Sequence, residues 1–154
     1  MKAYEKDITN EPVTVIRDNY GDEGVYQGEL LQTSSDSIDC DENDDLPHGM
    51  GTMKYADGRS YKGGWKEGHW QGKGKASFPN GDSYEGETKL DQRHGKGVYR
   101  WNDGRVYDGH FFEDQRNGQG IMSYPDGTVY DGNFKNGLRH GQGTYKVRIS
   151  SHIL

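Results

Sequence analysis

The chain is short of the residues that ordinarily build a protein interior. Leu, Ile, Val and Phe together make up 23 of its 154 residues, about 15%, and mean hydropathy is -1.15. A share that low normally marks disorder, because too little apolar surface can be buried to offset chain entropy. No run approaches the roughly 18 apolar residues that span a membrane, and residues 1 to 25 lack the apolar core of a signal peptide. Cys40 is the single cysteine and cannot close an internal disulfide, which leads us to expect an intracellular, cytoplasmic setting. An excess of basic residues is also missing. The 19 Lys and Arg stand against 25 Asp and Glu, net -6, so a general nucleic-acid binder is not expected. The acidity is local: residues 1 to 60 carry net -9, most densely in "DSIDCDENDD" (36 to 45), and residues 61 to 154 carry net +3.

Aromatic residues and glycine are what the chain does have. Its 24 glycines recur in a pattern. Tyr61, Tyr84, Tyr107 and Tyr130 lie 23 residues apart, and each opens Tyr-x-Gly; eleven residues after each comes Gly-x-Gly, at 72, 95, 118 and 141. A turn pair follows in three units, Asn-Gly at 80 and Asp-Gly at 103 and 126. An earlier unit starts at Tyr26 and carries a 12-residue insertion, at about 33 to 44, before its Gly-x-Gly at 49. Such a period marks a repeat architecture.

Each unit reads as a β-hairpin, with strand one running from the Tyr for six residues and strand two from the Gly-x-Gly for seven. Alternation sends the Tyr, its Gly and a third residue (Leu30, Trp65, Thr88, Phe111, Phe134) to one face. Strand two adds its glycines and Tyr55, Phe78, Trp101 or Tyr124 to that face. One face therefore holds rings and glycines, and the other Lys, Glu, Gln, Asp and Ser. Rings laid on glycine can replace an aliphatic core, because each buries about 150–250 Å². The expected fold is all-β, an elongated single-layer array of antiparallel hairpins. Five hairpins fill residues 26 to 148, between an N-terminal segment (1 to 25) and a tail (149 to 154).

The pattern Tyr-x-Gly-x-Trp/Phe, Asn-Gly, His-Gly-x-Gly, aromatic, Asp-Gly resembles the MORN repeat (membrane occupation and recognition nexus), most closely in "YDGNFKNGLRHGQGTY". Residues 12 to 25 resemble a degenerate half-unit that caps the first edge. One departure is Thr88, expected to leave a gap in the ring stripe. The resemblance implies a non-catalytic module without cofactor. Family members serve as scaffolds in cytoskeletal assemblies, adaptors that grip partner peptides, accessory modules beside larger enzymes, and parts of membrane junctions.

Sites for chemistry are not expected. His48, His94 and His140 share a slot with Gln71 and Asn117, as turn-closing polar residues would, and fall on separate repeats, too scattered for a metal. The Gly-x-Gly is followed by a strand, not by the helix a phosphate loop needs. "DCDENDD" (39 to 45) lacks the Gly and Glu of a calcium loop. No nucleophile–base pair stands out.

Two binding readings remain. In the first, Tyr61, Trp65, Tyr84, Trp101, Tyr107, Phe111, Tyr124, Tyr130 and Phe134 form a face that grips a peptide or helix of a protein partner. In the second, Lys62, Lys66, Lys73, Lys75, Lys89, Lys96 and Arg100 on the opposite face hold an anionic phospholipid surface, with the acidic insertion able to fold back and mask Lys62, Lys66, Lys73 and Lys75. The edge at residues 130 to 147, with only a short tail to cover it, would also allow a homodimer through strand edges.

Overall fold

A computed structural model describes residues 13–17, 21–31 and 46–148 of the chain. The acidic insertion with Cys40 and the tail from residue 149 lie outside the described residues, and so does the proposed masking of the lysines.

The described chain is a single eleven-stranded antiparallel sheet whose strands follow one another in sequence order. The strands are β1 (Val13–Arg17), β2 (Glu23–Leu31), β3 (Leu46–Tyr55), β4 (Ser60–Lys66), β5 (His69–Ser77), β6 (Ser83–Lys89), β7 (Gln92–Arg100), β8 (Val106–Phe112), β9 (Gln115–Ser123), β10 (Val129–Lys135) and β11 (Leu138–Lys146). At about 4.8 Å between neighbours, eleven strands extend roughly 48 Å. The resemblance to an all-β hairpin array is therefore matched strand for strand, with β1 as an additional strand on the first edge. Val15 of β1 faces Val25 of β2 across that edge.

Two kinds of turn fix the register. Between hairpins, the amide of Gly58, Gly81, Gly104 and Gly127 donates to the carbonyl of Tyr55, Phe78, Trp101 and Tyr124 at 3.0–3.1 Å. In these turns Asp or Asn accepts from the backbone two residues on, as Asp126 does from Thr128 at 2.8 Å. Within hairpins, two residues of positive φ make the mirror-image turn that suits strand twist. They are Glu67-Gly68, Leu90-Asp91, Glu113-Asp114 and Asn136-Gly137. Because these turns are so tight, each second strand begins three residues earlier than the Gly-x-Gly suggests; β5 starts at His69, not Gly72.

Glycine stands opposite glycine throughout, as in Gly63↔Gly74 and Gly86↔Gly97. The repeat tyrosine of each hairpin lies across such a pair. A methyl group at Gly86 would stand 2.6 Å from the Tyr84 hydroxyl, and one at Gly109 equally close to that of Tyr107. The ring occupies the volume that any other residue's Cβ would need. This is how a chain with so few aliphatics forms an interior: Tyr26, Tyr61, Tyr84, Tyr107 and Tyr130 are all buried on one face of the sheet.

Candidate ring-face binding surface

The site is assembled from the tyrosine row upward. Each hydroxyl donates to the carbonyl three residues on: Tyr26 to Glu29 at 2.9 Å, Tyr61 to Gly64 at 3.2 Å, Tyr84 to Glu87 at 2.6 Å, Tyr107 to His110 at 2.9 Å and Tyr130 to Asn133 at 3.2 Å. The bulge after the glycine of each first strand turns that carbonyl toward the ring. Burial pushes the Tyr61 and Tyr84 hydroxyls up from their ordinary pKa, and that of Tyr107 to about 12. These phenols stay neutral and tied down.

On this row the third-position ring of the next repeat packs edge-on. Trp65 meets Tyr26 at 5.5 Å, Phe111 meets Tyr84 at 5.4 Å, and Phe134 meets Tyr107 at 5.0 Å. Thr88 breaks the series, but no gap results. Its hydroxyl donates to the Gly72 carbonyl at 3.0 Å and stands 3.1 Å from the Tyr61 hydroxyl, whose one proton is shared between Thr88 and the Gly64 carbonyl. Trp70 then covers Tyr61 in a parallel stack, 4.1 Å between centroids. The expected hole is filled by a ring from a neighbouring position.

The nine predicted contact rings thus divide. Tyr61, Trp65, Tyr84, Tyr107, Phe111, Tyr130 and Phe134 are at most 5% exposed and form the core. Trp101 and Tyr124 are half-buried against it, together with Phe78 and Tyr99. Accessible ring surface therefore lies along the strand ends that enter the outer turns. Tyr145, on the last strand, is 50% exposed.

The face is not made of rings and glycine alone. Nine residues after the repeat tyrosines stand Trp70, Arg93, Arg116 and Arg139. Arg93 lies over Tyr99 at 4.9 Å and Phe111 at 5.5 Å. Arg116 sits among Trp101 (5.7 Å), Tyr107 (5.8 Å) and Phe134 (5.5 Å). Arg139 lies over Tyr130 at 5.6 Å and Tyr145 at 5.1 Å. Guanidinium planes over ring faces are favourable cation–π arrangements. Sequence reasoning missed these arginines, although the 23-residue period carries them as plainly as it carries the tyrosines.

Asp82 supplies a buried carboxylate at the rim. It accepts the Tyr99 hydroxyl at 2.6 Å and the Asn102 amide at 2.8 Å. Those hydrogen bonds, the Tyr99 one foremost, hold Asp82 below the usual carboxylate range. In return Tyr99 is pushed up to about 12, first by burial and then by Asp82.

The opposite face carries the lysines. Lys62, Lys66, Lys73, Lys75, Lys89, Lys96 and Arg100 are all exposed. A shallow groove of about 570 Å³ runs over the glycine backbones between Lys62, Lys73, Lys75 and Lys96, with Met50 and Val98 beside them. Carboxylates interleave: Glu85 and Glu87 stand opposite Lys75 and Lys73, with Lys75 and Glu85 paired at 3.0 Å. The histidines remain apart. His48 accepts from the Glu67 amide at 3.4 Å, His94 lies 5.2 Å from the Phe112 ring, and His140 is exposed. No helix among the described residues is long and apolar enough to cross a membrane.

In comparison with protein families, a profile described as the MORN repeat matches residues 43–58, 61–83, 84–104, 107–129 and 130–146. Comparison with curated proteins finds no match.

Proposed function

Because the chain belongs to the MORN-repeat family, whose arrays are generally non-enzymatic modules that bind proteins or membranes, we propose that it is a scaffold or adaptor that holds a protein partner on its ring face. The observation that carries this reading is the half-buried set Phe78, Tyr99, Trp101 and Tyr124, with arginines beside it. Tyr, Trp and Arg dominate the energetic centres of interfaces, since they bury large area at small entropic cost. The deeper rings act as the rigid floor. An intracellular location, with attachment to cytoskeleton or membrane, belongs to the same proposal.

The lysine groove favours a second reading, peripheral binding to anionic phospholipid, because each exposed cation near such a surface contributes about 1 kcal/mol. Glu85, Glu87 and Asp108 in the same groove oppose it. Affinity capture run in parallel with the wild-type chain, Trp101→Ala/Tyr124→Ala and Lys73→Glu/Lys75→Glu, with liposome co-sedimentation of each, separates the two. We expect captured proteins to be lost in the ring variant alone. Phosphoinositide-dependent pelleting that only the lysine variant loses would reverse the ranking.

A further inference from the structure

Of the four within-hairpin turns among the described residues, the two central ones carry a carboxylate at their second residue, Asp91 and Asp114, and the first and last carry Gly68 and Gly137. The second residue of each within-hairpin turn reaches back to the preceding repeat, to the residue nine positions after that repeat's tyrosine. Asp91 accepts the Trp70 amide at 2.7 Å and pairs with His69. Asp114 accepts both the amide of Arg93, at 3.0 Å, and its guanidinium, at 2.9 Å. In the following repeat the same place is Gly137, which offers no carboxylate. Its backbone is nonetheless in register, its amide donating to the Arg116 carbonyl at 3.0 Å, as Asp114 does to Arg93 at 3.1 Å.

Arg116 is left with a carbonyl and a thioether. Its guanidinium donates to the Gly137 carbonyl and, at 3.9 Å, to the Met122 sulfur, between the rings of Trp101, Tyr107 and Phe134. Among the described residues it makes no ion pair, whereas Arg93 has Asp114 and Arg105 has Asp103. Burial disfavours its charge, and so do the neighbouring cations Arg105 and Arg93. A half-buried cation without an anion is an expensive arrangement, and a planar guanidinium suits two-point binding of a carboxylate.

We infer that Arg116 is the receptor for an aspartate or glutamate side chain of the partner, which supplies in trans the carboxylate that Asp114 supplies to Arg93 in cis. This rests on the ring face being the binding face. Arg139, one repeat further, lies over Tyr130 and Tyr145 and likewise has no ion pair among the described residues. The two arginines lie on β9 and β11, two inter-strand spacings apart, so the matching carboxylates stand about 10 Å apart. On a helix that is a separation of about seven residues.

Gly137→Asp tests the assignment from inside. The position has φ of 78°, beside 66° at Asp91 and 65° at Asp114, and open space where the side chain would go. The new aspartate should raise the thermal midpoint by about 3 °C, and the gain should shrink to the part supplied by the residue-116 amide when Arg116→Gln is added. No gain, or a gain that Arg116→Gln leaves undiminished, overturns the assignment. The probe for binding is a fluorescein-labelled alanine–leucine helix bearing two glutamates seven residues apart. Its affinity should fall about tenfold or more with Gly137→Asp and with Arg116→Gln, and stay unchanged with Lys73→Glu. No binding at millimolar peptide, or binding only of a phosphoserine version, overturns the carboxylate receptor. Binding that Trp101→Ala/Tyr124→Ala removes and Gly137→Asp does not also overturns it, while leaving the ring face as the docking surface. Binding that Lys73→Glu alone removes would sink both.

Discussion

Tyrosine is the residue on which this protein depends. Its ring fills the space that glycine opens, and its hydroxyl satisfies a carbonyl that a bulge has turned inward. A phenylalanine would supply the first and not the second. The hydroxyls of Tyr61, Tyr84, Tyr99 and Tyr107 are all held above the ordinary tyrosine value of 10.0, with Tyr99 and Tyr107 at about 12. The unfolded chain ionises first, so the stability these groups contribute is complete below pH 10 and declines as pH rises toward 12. An alkaline titration should show tyrosinate absorbance appearing late and together with loss of β-sheet circular dichroism. Independent ionisation near pH 10 with the sheet intact would mean that the rings are solvated.

At the scale of the hairpin, turn chemistry and inter-repeat contacts compete. Asn-Gly suits a two-residue turn with both φ positive, and Asn136-Gly137 has it; Leu90-Asp91 and Glu113-Asp114 do not. Asp91 and Asp114 hold the left-handed conformation because their carboxylates tie one repeat to the one before. Leu90 has no such reason: it is 57% exposed, with φ of 49°. Leu90→Asn should therefore stabilise the chain by about 1 kcal/mol, read as a higher urea midpoint at unchanged slope. A lower midpoint would mean that the Leu90 side chain makes a contact worth more than the backbone relief.

The hairpins themselves were legible in the sequence, because Tyr-x-Gly, Gly-x-Gly and the outer turn glycines each mark a geometric requirement at constant spacing. The ring-face arginines were not, because alternation counted from the Gly-x-Gly stopped short of the true start of the second strands. The filling of the Thr88 position by Trp70 was hidden for the same reason. Burial was harder still: the aromatic stripe reads alike whether a ring forms the floor or the rim, and only packing separates Tyr107 from Tyr124.

Across the whole molecule, contacts run from each hairpin to the next, so the ribbon is stable as a chain of neighbours. Every residue of β11 is exposed, and among the described residues no strand covers its outer edge. An edge of this kind is what strand-to-strand homodimerisation would use. The two faces differ in kind. One presents half-buried rings with arginines, of which Arg116 and Arg139 make no ion pair among the described residues; the other presents lysines already interleaved with glutamates. This asymmetry is the basis for placing the partner on the ring face.

The most direct test is site-specific photo-crosslinking in the cells that make the protein, with a benzoylphenylalanine placed singly at Trp101, Tyr124 or Lys73. Discrete protein adducts from the Trp101 and Tyr124 positions, and none from Lys73, are the predicted result. Adducts from Lys73 alone, whether to protein or to lipid, would place the working surface on the lysine face and contradict the account.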